Sequence, residues 1–357
     1  GLYCCAGVPV REGNPATIYP GDTSAYDWTG VVPFPKLPHS YNPERGFVSS
    51  ANNKTVDDDY PHYISYWFDL SWRIDRINQL LSEKEKLSVE DFKDIQTDKL
   101  SLMVERLKPQ MIKAVEGMKN MNVVEQEAFH ILKGWNGLYE PELPAPSIFE
   151  NLYLNLLKNL AQDEMGDTLF KQYLGDKILV RNFIKNVMND PSSEWWDNQN
   201  TPDQKEDFTS IVRQSFRETV QKLEKDLGDN PAEWEWGRIH QLTLKHPMGQ
   251  VKLLSWLFGL NEGPYPVGGS YHTVSPYSYT YQNPFQVNHG ASHRHVYSLD
   301  DWDESYTLIP TGTSGIPSSE HYCDQTEWYV KDQYHPDYVS IQNIRKQTRY
   351  KMILKPE

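Results

Sequence analysis

The sequence predicts an α+β fold, one sheet-based domain interrupted by a large helical insert, in which the C-terminal β-rich segment returns to the sheet begun by the first. Three observations carry this. Turn-punctuated extended stretches fill residues 1–68, apolar residues recur at helical spacing over 69–260, and short strand-like runs between Gly, Pro, Asn and Asp turns fill 261–357.

In the first segment, Gly1-Leu2-Tyr3-Cys4-Cys5 reads as part of a strand. Tyr19-Pro20-Gly21-Asp22 and Pro33–Pro38 set turns and extended backbone, and Phe47-Val48-Ser49-Ser50-Ala51 reads as a short strand ending at Asn52-Asn53. In the second segment Leu70, Ile74, Ile77 and Leu81 make one helical stripe, and Leu100, Met103, Val104 and Leu107 another. Phe149, Leu152, Leu156 and Leu160 make a third, and Phe208, Val212, Phe216 and Val220 a fourth; such stripes are core, not cofactor sites. Ser88 with Asp91 predicts a capping box, Gly134 a helix C-terminus, and 190–202 a loop holding Trp195-Trp196. In the third segment Gly268–Val274, His293–Tyr297 and Ser305–Ile309 read as strands. There is no internal repeat.

Composition bounds the function. The chain has 357 residues, 13% of them aromatic, which suits a sizeable packed core. Its net charge of −14, from 35 basic and 49 acidic side chains without a basic stripe, argues against nucleic acid as a partner. Val251 to Leu260, among the longest apolar stretches, is too short to span a bilayer, so no membrane is expected. No targeting signal stands at the start. Cys4 and Cys5 are adjacent, Cys323 is alone, and none has zinc-ligand spacing.

Two constellations bear on chemistry. A strand ending at Asn52 would place amide N–H donors at a sheet rim, which suits an oxyanion hole, and Arg73 or Arg76 one helix downstream would orient that Asn. On the residues alone, the better reading is Asn52-Asn53 as a turn and the arginines as surface charges. Gly312–Gln325 gathers Ser319, His321 and Asp324, but so close in sequence that a hydrogen-bonded loop is the better reading than a triad. Asp57-Asp58-Asp59 reads as a solvated acidic loop. His293 and His295 share one face of a strand, which permits a metal, though nothing nearby has ligand spacing.

Taken in order, a series of motifs resembles the penicillin acylase family of N-terminal-nucleophile hydrolases, at the C-terminal part of its β-subunit. The series runs Tyr26-Asp27-Trp28-Thr29-Gly30, Gly46-Phe47-Val48, Ala51-Asn52-Asn53, Arg73 to Leu81, Trp234-Glu235-Trp236-Gly237 with His240, Ser292-His293-Arg294 and Gly312-Thr313-Ser314-Gly315. It closes on Ser319-Glu320-His321-Tyr322 with Asp324-Gln325. The resemblance implies part of an αββα sandwich carrying a large helical insert. It also implies self-cleavage that exposes a Ser, whose own α-amine is the general base for attack on an amide carbonyl and an acyl-enzyme. Asn52 falls on the family's oxyanion-hole Asn, and Arg73 on the Arg that orients it.

The Ser-initiated motif itself is not found here. The resemblance therefore implies a fragment, inactive alone, whose partner is the N-terminal segment or α-subunit of the same precursor. The intact protein would hydrolyse a small acylated amine, such as an acylated β-lactam or an N-acyl homoserine lactone, in the periplasm or after secretion. Calcium, common in the family near this loop, stays open for the intact protein; here Tyr63-Ile64 stands where a carboxylate is expected, so no cofactor is expected of this chain. The alternative is a non-catalytic binding or structural protein on an acylase-like scaffold.

Overall fold

Four short strands organise the first segment: β1 (Leu2–Tyr3), β2 (Pro9–Arg11), β3 (Trp28–Val31) and β4 (His39–Ser40). They pair as two separate antiparallel ribbons, β1 with β4 and β2 with β3. The structure is a computed structural model that describes residues 1–3 and 7–356, so the reading of Cys4 and Cys5 lies outside the described residues. Residues 47–51, expected as a strand, join no ladder; the backbone turns at Asn52 (φ +61°), and only Asn53 bridges, in parallel, to Asp69. A left-handed residue ends strand geometry at once, and Asn tolerates that conformation better than other side chains.

The stripes of the second segment become helices: α1 (Trp72–Ser82), α2 (Val89–Gln96), α3 (Leu102–Glu116), α4 (Val123–Gly134), α5 (Ala145–Tyr173), α6 (Lys177–Met188), α7 (Phe208–Leu227) and α8 (Trp236–Ile239). Reciprocal capping boxes start three of them, Ser88 with Asp91, Asn122 with Glu125 and Asp207 with Ser210. Each box satisfies two backbone donors that the first helical turn leaves unpaired. Gly134 is the last residue of α4 rather than its cap; Trp135 caps it in extended geometry. Gly166, at φ +67° and ψ +165°, interrupts α5 with a conformation open to glycine and costly for any other residue. At the centre α5 lies against α7. Phe149, Leu152, Leu156 and Leu160 are fully buried with Val212, Phe216 and Val220, and Asn155 and Asn159 donate across the seam to Thr219 and Ser215 at 2.9 and 3.0 Å.

The rest comprises β5 (Gln241–Leu244), α9 (Lys252–Phe258), β6 (Glu262–Pro266), β7 (Gln286–Val287), β8 (Arg294–Val296), β9 (Tyr306–Leu308), α10 (Thr326–Val330), β10 (His335–Pro336) and α11 (Ile341–Gln347). β5 pairs antiparallel with β6 and parallel with β7, and β8, β9 and β10 form an antiparallel sheet. The mixture, 41% helical and 11% strand, is α+β. Pairing starts at Gln241, inside the segment read as helical. Among the described residues no strand of 1–68 pairs with one of the C-terminal strands. Gly268–Val274, expected as a strand, forms turns instead. Thr273 Oγ1 accepts from Ser270 N at 2.9 Å and donates to Ser275 O at 2.6 Å, so local side-chain bonds replace ladder bonds.

A second, smaller core of Leu242, Val267, Tyr277, Val287, Leu308 and Tyr329 lies beside the helical one. The Trp236 region joins the two. Its indole is fully buried, donates from Nε1 to Gly269 O at 3.0 Å, meets Tyr139 and Phe285 edge-on, and stacks on His240 at 4.3 Å and 13°. His240 Nδ1 lies 2.8 Å from Val267 O and Nε2 3.1 Å from Tyr277 O. Burial pushes the imidazole pKa from the usual 6.5 down to about 4, against the pull of those two carbonyls. A depressed folded value means that the unfolded chain binds the proton first. The stabilisation is complete above 6.5 and is lost as pH falls through about 4. Unfolding free energy is expected to fall by about 3 kcal/mol from this residue between pH 7 and pH 4. Urea titrations of wild type and His240→Gln at both pH values check this. Equal losses in the two proteins would remove His240 as the cause.

Candidate active site

Asn52 and Arg73, far apart in their local structure, meet at the start of α1. Arg73 Nη2 donates to Asn52 Oδ1 at 2.8 Å, to Ala51 O at 3.1 Å and to Asp69 Oδ2 at 2.9 Å. An arginine has donors only, so the atom facing it must be the amide oxygen. Asn52 is exposed, and fixing Oδ1 inward turns its Nδ2 donors outward. The backbone is fixed as well: Asp69 N donates to Asn52 O at 2.8 Å. A pre-aimed, solvent-facing amide donor is the arrangement that stabilises charge developing on a carbonyl oxygen.

Asp69 is the hub beneath this pair, and nothing in the local pattern marks it beyond its position four residues before Arg73. Its side chain is 6% exposed. Oδ2 accepts from Arg73 and from Tyr271 Oη at 3.1 Å, while Oδ1 accepts from Leu70 N at 2.9 Å and from Arg181 Nη1. Arg181, on α6, is 1% exposed; its guanidinium lies 3.6 Å from the centre of the Tyr271 ring, and its Nε donates to Lys177 O at 2.7 Å. Lys177 Nζ lies 5.0 Å from the same ring. His272 is buried, and burial, then the charges of Arg181 and Arg73, hold its pKa well below 6.5, so it is neutral at pH 7. Among these described contacts one carboxylate faces two guanidiniums, a local excess of positive charge that favours a developing anion.

Behind this cluster, Glu150 accepts from Tyr139 Oη at 2.8 Å and from Tyr279 Oη at 2.6 Å; burial raises its pKa. The crevice there, lined by Glu150, Lys177, Tyr271 and His272 among others, has room for about one water and is no substrate pocket.

The chain matches the family described as Penicillin amidase over residues 1–346. It belongs to the penicillin amidase family. An acyl-homoserine lactone acylase QuiP of Pseudomonas syringae pv. syringae (strain B728a) is 25% identical over 353 residues, covering 94% of this chain and 42% of that protein. Penicillin acylase 2 proenzyme of Pseudomonas sp. (strain SE83) is 25% identical over 322 residues, covering 90% and 40%. The solved structure of a thermostable penicillin G acylase from Alcaligenes faecalis has a TM-score of 0.58 at 16% identity, over 99% of this chain and 65% of that one, a likeness of fold. The chain thus spans about two fifths of the length of these curated relatives.

In this member of the family the other motifs stand apart from Asn52. His321 Nδ1 pairs with Asp324 Oδ2 at 2.7 Å on the surface, while Ser319 Oγ takes the His321 backbone N–H at 3.2 Å instead of the imidazole. His293 and His295 lie side by side, 4.8 Å between ring centres, with His293 Nε2 2.6 Å from Thr307 Oγ1. Asp58 pairs with Lys54. At the position where the resemblance expects a carboxylate, the Tyr63 ring meets Tyr66 edge-on at 4.8 Å and has the Arg11 guanidinium 5.9 Å from its centre.

Proposed function

We propose that the protein to which this chain belongs hydrolyses the amide bond of a small acylated amine, with Asn52 supplying an oxyanion-hole donor and Arg73 orienting it. The observation that carries this reading is the Arg73–Asn52 bond, which commits the amide oxygen inward and leaves two N–H groups facing solvent. In the proposed reaction a Ser at a new N-terminus, from a part of the protein outside this chain, attacks the carbonyl as its own α-amine takes the hydroxyl proton. Asn52 Nδ2 stabilises the resulting oxyanion, the C–N bond breaks as that proton passes to the leaving amine, and water, deprotonated by the same α-amine, releases the acyl group and restores the Ser. The names of the relatives support two substrate classes, N-acyl homoserine lactones and acylated β-lactams.

This chain alone is proposed to be inactive and to associate with the upstream segment of the same precursor. Supporting that, Trp28, Tyr66 and Trp67 are 50–67% exposed on the first segment, apolar surface that an associating segment would cover. Among the described residues no helix is long and apolar enough to cross a membrane. Export to the periplasm or beyond is part of the proposal and rests on the family resemblance. The test is hydrolysis by the full-length protein of an N-acyl homoserine lactone and of an acyl-p-nitroanilide. Release of free amine from either supports the reading. A folded full-length protein that cleaves neither overturns it and moves the assignment to a binding scaffold.

A further inference from the structure

We propose that Asp69 is the positioning residue of this site, holding Arg73 on Asn52 and tying the pair to α6 and to the Gly268–Val274 loop. The inference rests on the amidohydrolase reading for its kinetic consequence, but its geometric core does not. Asp69 holds two guanidiniums with one carboxylate, Arg181 on Oδ1 and Arg73 on Oδ2. The other acceptors of Arg73, Ala51 O and Asn52 Oδ1, are neutral.

The two cations are unequal in their freedom. Arg181 is 1% exposed, backed by the Tyr271 ring and by Lys177 O, whereas Arg73 is 15% exposed at the surface end. If the carboxylate is neutralised, their repulsion is no longer offset, and the one able to reach water is Arg73. Asn52 then loses the donor that fixes which face of its amide points out. Tyr271 shares Oδ2 with Arg73, so its hydroxyl restrains the same oxygen that aims the guanidinium. Asp69 touches no reacting atom; it acts through Arg73.

Asp69→Asn, isosteric and neutral, tests this in the full-length protein with an acyl-p-nitroanilide as probe. The expected result is a fall in kcat of about 10- to 100-fold with KM changed by less than about 3-fold, since a misaimed donor is missed only in the transition state. A crystal structure of the variant is expected to show Arg73 beyond hydrogen-bonding distance of Asn52 Oδ1. Wild-type kcat, or an intact Arg73–Asn52 bond in the variant, overturns the proposal. A loss that falls on KM instead of kcat also overturns it, as general loosening of the site. Should Asp69→Asn not fold, Tyr271→Phe removes one of the bonds to Oδ2. A kcat about 2- to 5-fold lower supports the proposal, and an unchanged kcat sinks it. If the wild-type full-length protein hydrolyses no amide, the amidohydrolase reading fails, and the variant crystal structure still decides the role of Asp69.

Discussion

Replacing Asn52 by Gly in the full-length protein is expected to lower kcat for amide hydrolysis by about 10²–10³-fold and leave KM nearly unchanged. That corresponds to about 3–4 kcal/mol of transition-state stabilisation. Gly is the informative choice because Asn52 sits at φ +61°, where glycine is at ease and alanine is strained. The change therefore removes the Nδ2 donors without disturbing the chain path that Asp69 N and Ala51 O help to fix. Asn52→Asp, which keeps the shape but replaces donors with acceptors, is expected to be at least as slow. Steady-state kinetics on the three proteins decide. A Gly variant with unchanged kcat would take Asn52 out of the reaction.

Trp236→Ala is expected to destabilise the fold by about 3–5 kcal/mol. The indole is fully buried where the helical core meets the smaller one, and every side of it is occupied: His240 on its face, Tyr139 and Phe285 at its edges, Gly269 O on its N–H. No small movement of one element closes the gap, because those neighbours come from different parts of the chain. Its successor Gly237 explains the rest of the motif. A Cβ there would lie 2.8 Å from Pro266 Cβ and 3.0 Å from Pro141 Cβ. Urea unfolding of wild type and variant measures the effect. A loss under about 1 kcal/mol would mean that the junction repacks freely.

How much of this was legible depended on distance along the chain. The stripes of α5 and α7 were readable because burial repeats every helical turn, and the Ser88–Asp91 cap because both partners lie within one turn. Phe47–Ala51 and Gly268–Val274 have strand-like composition, yet a left-handed Asn52 and the Ser270–Thr273 side-chain bonds divert them locally. Asn52 and Arg73 were found through an ordered set of motifs, and their bond confirms only that they meet. Asp69, Arg181 and Tyr271 left no signal. A lone Asp before a helix, an Arg within α6 and a Tyr in a turn are each ordinary, and what makes them a cluster is tertiary proximity.

That same cluster has a consequence for when the molecule becomes competent. Asp69 is joined by Arg181 from 112 residues downstream and by Tyr271 from 202 downstream. At ribosomal speeds of about 5–20 residues per second, Tyr271 is made about 10–40 s after Asp69. During that interval α1 has its amphipathic face and Arg73 its local partners, but the carboxylate between them is not yet shared. Contacts so distant in sequence also carry a larger loop-closure cost than the Arg73–Asp69 pair four residues apart. Asp69 therefore gains its second guanidinium and its tyrosine only once Arg181 and Tyr271 have been made, and a copy truncated before them carries Asn52 and Arg73 without that support.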